Sequence, residues 1–152
     1  MPHSAERAAL PWSNTYAVGH GELDRQHRAL VDSINEIDHT IRARNGVRLA
    51  RHMKALRLAA DEHFRDENAI LWQFLTGTRK SSRSMAVPKR SGLITTTAFE
   101  KHVAVHDALL AGLDNIVLEP LAAVMDRLKF WFVDHVVRHD SHIRAVFGSL
   151  SR

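Results

Sequence analysis

A chain of 152 residues with 45% hydrophobic and 25% charged side chains is long enough to bury a sizeable core and too apolar to be disordered. It contains no cysteine, which excludes disulfides, thiolate metal sites, iron–sulfur clusters and cysteine nucleophiles together. The formal charge of +4 implies no nucleic-acid partner, because five of the basic residues (Arg79, Lys80, Arg83, Lys89, Arg90) fall in one Ser-rich connection without interleaved aromatics.

Residues 1–20 carry Pro2, Pro11 and Gly19 without a helical period, and read as an extended N-terminal arm. Trp12 and Tyr16 are its expected anchors, each with an apolar ring and a polar tip. MPHSAERAAL lacks the apolar stretch of a secretory signal. No apolar run approaches the roughly 18 residues of a spanning helix. A cytoplasmic protein with no membrane partner is expected.

A first helix is predicted from Glu22 to about Ala43. Its seam is Leu23, His27, Leu30, Ile34, Ile37 and Ile41, with Arg25, Arg28, Asp32, Glu36 and Arg42 facing outward. Asn45-Gly46 is expected to end it, glycine being common just past a helix C-terminus. A second helix, from about Val47 to Leu75, has the seam Leu49, Met53, Leu56, Ala60, His63, Glu67, Ile70 and Phe74. Thr76-Gly77 closes it, and residues 76–97 read as a long basic, Ser-rich loop.

A third helix, about Ala98 to Val117, has the seam Phe99, His102, His106, Leu109, Leu113 and Ile116. Thr97 is its expected N-cap, with Glu100 completing a capping box. Pro120 suits the start of a fourth helix, whose seam is Leu121, Val124, Leu128, Trp131 and His135, with apolar character continuing to Phe147 and room for a kink. The fold class expected is all-α: one domain over residues 1–152, an antiparallel up-down-up-down four-helix bundle with the N-terminal arm. Trp72, Trp131, Phe64, Phe74 and Phe99 read most simply as core.

Of eleven histidines, five occupy seam positions: His27, His63, His102, His106 and His135. Glu67 shares their seam, and Asp140 follows His135 by five residues. Positions i and i+4 of a helix share a face, so His63 with Glu67, and His102 with His106, point into the same interior. Burying so many ionisable groups is prohibitive unless a cation sits among them. Seven ligands exceed the shell of one ordinary ion and suit two ions bridged by carboxylates. Imidazole with carboxylate favours iron, manganese, zinc or copper over magnesium or calcium. The HExxH arrangement is absent, and no seam carries the inward Glu-x-x-His pair of ferritin-like bundles. So are a Ser-His-Asp arrangement and a Gly-rich phosphate loop, and conventional hydrolysis is not expected.

The set His27, His63-x-x-x-Glu67, His102-x-x-x-His106, His135-x-x-x-x-Asp140 resembles the hemerythrin signature in order and spacing. The flanks agree: Trp12 and Tyr16 in the arm, Asp24-Arg25-Gln26-His27, His63-Phe64, and Trp131 before His135. The likeness covers roughly residues 12–143 and is closest to the single-domain bacteriohemerythrins.

That resemblance implies a non-heme di-iron centre. His102, His106 and His135 would hold one iron, and His27 and His63 the other. Glu67 and Asp140 would bridge them together with an oxo or hydroxo group. Dioxygen would bind at the open position of the two-histidine iron, for oxygen carriage, storage or sensing. Phe132 and Trp131 are expected at the dioxygen pocket. The alternative is a redox enzyme on the same centre, of peroxidase or nitric oxide reductase type, acting on another small gas or oxidant. The sequence departs from the family at Phe132, where many members have Leu, at Asn68, where a second Glu is common, at Ala59, and in the long connection between Glu67 and His102. His3, His20, His39, His52, His139 and His142 carry no assigned ligand role, although His139 and His142 flank Asp140 and are placed to order it.

Overall fold

A computed structural model describes residues 8–76, 96–140, 143–145 and 147. Its regular elements are helical: α1 (Gly21–Arg42), α2 (Gly46–Thr76), α3 (Thr96–Ile116), α4 (Leu121–Val133), a π-helical segment (Asp134–His139) and a short 3-10 turn (Asn14–Tyr16). No strand occurs among the described residues. None of these helices is long and apolar enough to cross a membrane. Each of the four long helices packs against its neighbour in the chain, and α4 packs back against α1.

The apolar seams are buried nearly as their period requires. On α1 the buried set includes Leu23, His27, Leu30, Ile34 and Ile37, while Ile41 is half-buried. The core falls into two clusters. The larger includes Leu30, Ile34, Ile37, Met53, Leu56, Ala60, Leu113, Val124 and Leu128. The smaller comprises Val18, Leu23, Leu71, Ile143 and Phe147, with Ile70, Phe74 and Phe99 against it. Along the chain, α1 passes from the smaller cluster to the larger, α2 from the larger to the smaller, α3 back again, and α4 with its continuation returns to the smaller. Every seam crosses between clusters where its histidines lie.

Four sequence expectations change. Leu121 is 48% exposed and Trp72 is 44% exposed, so neither is core. Leu121 lies in the first turn of α4, and Trp72 leans on Phe99 with ring centroids 5.1 Å apart. Asn45-Gly46 does not end α1. Arg44 takes the left-handed backbone there, with φ 53°, and Asn45 caps the next helix: its side-chain oxygen accepts from Arg48 N at 3.1 Å. Thr97 is not a cap, because α3 already begins at Thr96.

Over residues 8–20 the arm shows one 3-10 turn as its regular element, and it is pinned at several points. Asn35 exchanges two hydrogen bonds of 2.8 Å with the backbone of Leu10. Asp24 accepts from Val18 N at 2.6 Å. Trp12 lies under the Arg28 guanidinium at 4.1 Å, and Tyr16 is buried. His20 caps α1 by accepting from Leu23 N. The basic residues from Arg79 to Arg90 lie outside the described residues, as do His3, His142 and the side chain of His139.

Candidate metal centre

The seven expected ligands come together. His27 is on α1, His63 and Glu67 on α2, His102 and His106 on α3, His135 in the π segment, and Asp140 directly after it. All seven are buried. Single donor atoms of His27, His63, Glu67, His135 and Asp140 lie within 4.8 Å of one another, and so do those of Glu67, His102, His106 and Asp140. Glu67 and Asp140 belong to both groups. By donor-atom distance His135 falls with His27 and His63, yet its ring centroid is 5.2 Å from that of His106 and 6.5 Å from that of His27. It stands between the two groups.

A five-residue spacing does not by itself put two side chains together: on an α-helix it leaves them about 140° apart. The π segment removes the discrepancy. Its wider turn closes with Asp140 N donating to His135 O at 3.1 Å, a bond spanning five residues. Asp140 Oδ2 then lies 3.1 Å from His135 Nε2 and 3.5 Å from His27 Nε2.

The protons of three imidazoles can be assigned from their partners. His27 Nδ1 is 2.7 Å from the Tyr16 carbonyl, His63 Nδ1 is 2.8 Å from Gln26 Oε1, and His106 Nδ1 is 2.8 Å from Asn68 Oδ1. Carbonyl oxygens only accept, so each Nδ1 carries the hydrogen and each neutral ring keeps a lone pair on Nε2. Those lone pairs face the interior. His27 Nε2 and His63 Nε2 are 3.1 Å apart. His63 Nε2 is 3.2 Å from Glu67 Oε2, and His106 Nε2 is 3.1 Å from Glu67 Oε1. His102 Nε2 lies 2.9 Å from the same oxygen. Both oxygens of Glu67, both of Asp140, and His106 Nε2 are buried without a hydrogen-bond partner. These are acceptors packed against acceptors.

Neither His27 nor His106 supplies a proton to fill the gap at neutral pH. Burial, and next the neighbouring His63, push the His27 imidazolium down to about 4. Burial likewise pushes His106 down to about 4. For Glu67, burial acts upward and the imidazoles of His102, His106 and His63 act downward only as hydrogen donors, a part that the Nε2 lone pairs of His63 and His106 cannot take. Asp140 is raised by burial and then by the charge of Glu67. The two carboxylates therefore cannot both be comfortably ionised unless a cation is shared between them.

Aromatic rings wall the site. Phe64 stacks on His106 at 4.3 Å between centroids, with an interplanar angle of 13°, and lies 4.9 Å from His135. Phe132 is fully buried, edge-on to His27 at 6.2 Å and to Tyr16 at 5.2 Å. Trp131 packs on Phe64 at 6.2 Å and donates Nε1 to the Leu109 carbonyl at 2.9 Å. Of the two residues expected at a pocket, Phe132 faces the His27 side and Trp131 stands behind Phe64.

Sequence reasoning missed the groups that orient the imidazoles: the Tyr16 carbonyl, Gln26, Asn68 and, behind Gln26, Asp66. Gln26 and Asn68 are immediate neighbours of His27 and Glu67, and that adjacency was the available signal. Compared with models of protein families, curated proteins and solved structures, the chain matches none. The described residues thus define a helical protein with a buried His/Glu/Asp cluster fit to bind metal.

Proposed function

We propose that this chain is a hemerythrin-like antiparallel four-helix bundle holding two iron ions and binding dioxygen reversibly, for carriage, storage or sensing. The observation that carries the reading is the inward set of Nε2 lone pairs facing two buried carboxylates, an arrangement that only cations make favourable. Passage of successive helices between the same two apolar clusters in alternating direction supports the antiparallel bundle. Glu67 and Asp140 are the carboxylates that would serve both ions, since each falls in both ligand groups. The nitrogen-rich set suits iron among the divalent ions, and no cysteine competes for it.

His102, His106 and His135 would hold one iron and His27 and His63 the other, so that the iron on the His27 side would be held by fewer imidazoles. A reduced iron pair supplies the electrons for reversible dioxygen binding. The protein's own part is to hold and to exclude. Tyr16, Gln26 and Asn68 keep the imidazole lone pairs aimed inward. Phe132 and Phe64 keep bulk water from the site. The partner on this reading is a small gas in the cytoplasm, not nucleic acid or a membrane.

The test is an anaerobic oxygen titration of the reduced, iron-loaded protein, followed optically and then purged. Reversible binding requires two irons per chain and a visible band that appears with oxygen and fades on purging. A band that never appears, with direct irreversible oxidation, would overturn carriage and move the assignment to a redox enzyme of peroxidase or nitric oxide reductase type.

A further inference from the structure

Gln26 is buried and bonded at both ends of its amide. Its Oε1 faces His63 Nδ1 at 2.8 Å, and its Nε2 faces Asp66 Oδ2 at 2.7 Å. A carboxylate has no hydrogen to give, so the nitrogen end of the amide must be the end that faces Asp66. The oxygen end is thereby turned to His63, which can meet it only with a hydrogen on Nδ1. The Nε2 of a neutral His63 is then a lone pair, 3.1 Å from His27 Nε2 and 3.2 Å from Glu67 Oε2.

We propose that Asp66, a half-buried residue of α2 whose carboxylate is bonded to Gln26, fixes the tautomer of His63 through that amide and so keeps the site ready for metal. This deepens the di-iron reading, because the consequence for metal rests on His63 being a ligand.

The reverse arrangement shows why such a lock is needed. A flipped Gln26 amide would donate to His63 Nδ1 and send the ring hydrogen to Nε2. There it would point at the His27 lone pair and at Glu67, two good acceptors. The metal-free site would be internally satisfied, and a metal would have to displace that hydrogen. The local network of the centre thus favours the tautomer that rejects metal, and Asp66 opposes it from outside. Glu22 Oε1 also lies near Gln26 Nε2, at 3.4 Å, but it is engaged by Arg25 at 2.6 Å. His27 needs no such device, because a backbone carbonyl holds its Nδ1 hydrogen.

Asp66→Asn keeps the shape and removes the compulsion, since an asparagine amide can turn either end to Gln26. The double variant Q26E/D66N reverses the polarity of the outer bond. The new carboxylate accepts both from residue 66 and from His63, which restores the Nδ1 hydrogen. The experiment is nitrogen-15 NMR of the imidazoles in the metal-free protein at neutral pH, with the His63 signals identified by their loss in His63→Gln. Parent and double variant are expected as the Nδ1–H form. Asp66→Asn should show a substantial Nε2–H population, and Glu22→Gln should not. An Asp66→Asn spectrum identical to the parent, or a parent already in the Nε2–H form, overturns the proposal.

A parallel zinc titration should show weaker binding in Asp66→Asn by about ten- to a hundredfold, recovered in the double variant. A tautomer change with unaltered zinc affinity overturns the claim that the lock serves metal binding. If the parent takes up neither zinc nor iron, the metal reading fails, while the NMR result still decides whether Asp66 sets the tautomer.

Discussion

The larger apolar cluster and the layer of ligands beside it are built from the same four helices and the same seam positions, yet they solve opposite problems. The cluster around Leu30, Ile34, Leu56 and Leu128 is made of buried apolar side chains, and burial itself is the driving force. Within one or two turns on each helix the seam turns to imidazole and carboxylate, and burial becomes a cost that a bound cation would offset. One region folds because water is excluded. The other becomes favourable only when charge is supplied. Stability and metal dependence therefore belong to different parts of one continuous core.

Metal removal should expose this division most strongly. A ligand present at a thousandfold over its dissociation constant stabilises the folded state by about 4 kcal/mol per site. Chelation should therefore lower the melting temperature well beyond any surface mutation, with helical circular dichroism retained below the transition because the apolar clusters persist. A melting temperature unaffected by chelator would break the comparison. Next in size, Leu128→Ala should cost about 2–5 kcal/mol, since Leu128 is fully buried in the larger cluster. Iron stoichiometry should stay at the parent value, and loss of iron in that variant would show that the two regions are not separable.

Glu67→Gln should act with the opposite sign. An amide can donate to the facing Nε2 lone pairs and removes one of two mutually repelling buried carboxylates. The metal-free variant should be more stable than the metal-free parent by about 1–2 kcal/mol, while bound metal falls below two ions per chain. Paired denaturant titrations and metal analysis check both parts, and a destabilised metal-free variant would contradict the assignment of Glu67 as a bridge awaiting a cation.

The seams were readable because burial follows the helical period whichever residue fills it, and a histidine on an apolar stripe such as His27 or His106 stands out without coordinates. The π segment was not readable. Spacing between His135 and Asp140 hinted that a regular helix would miss, but one extra residue in a hydrogen-bond ladder leaves the apolar pattern around it unchanged. Asn45 misled because asparagine beside glycine suits both the end of one helix and the start of the next; Arg44, with no turn preference, took the strained backbone. Gln26, Asp66 and Asn68 lie off the seam, and nothing in the sequence assigned them a part in orienting the imidazoles. Their partners come from a different helix or from the far side of a ring, and only packing brings those into view.

Phe132 is where the smallest effect should sharpen the comparison, because it belongs to both regions. It sits in the larger cluster and meets Tyr16 and His27 edge-on. Phe132→Leu removes ring contacts but keeps an apolar, buried side chain, so the cost should stay near 1–1.5 kcal/mol. The space released lies on the His27 side, where the two-histidine iron would keep its open position. Oxygen should then enter and leave faster, and oxidation by bulk solvent should speed up, because the ring that excludes water is smaller. Stopped-flow release after purging and the rate of spontaneous oxidation read the two effects separately. If neither rate changes while stability falls, Phe132 is a packing residue only, and the oxygen path enters elsewhere in the ligand layer.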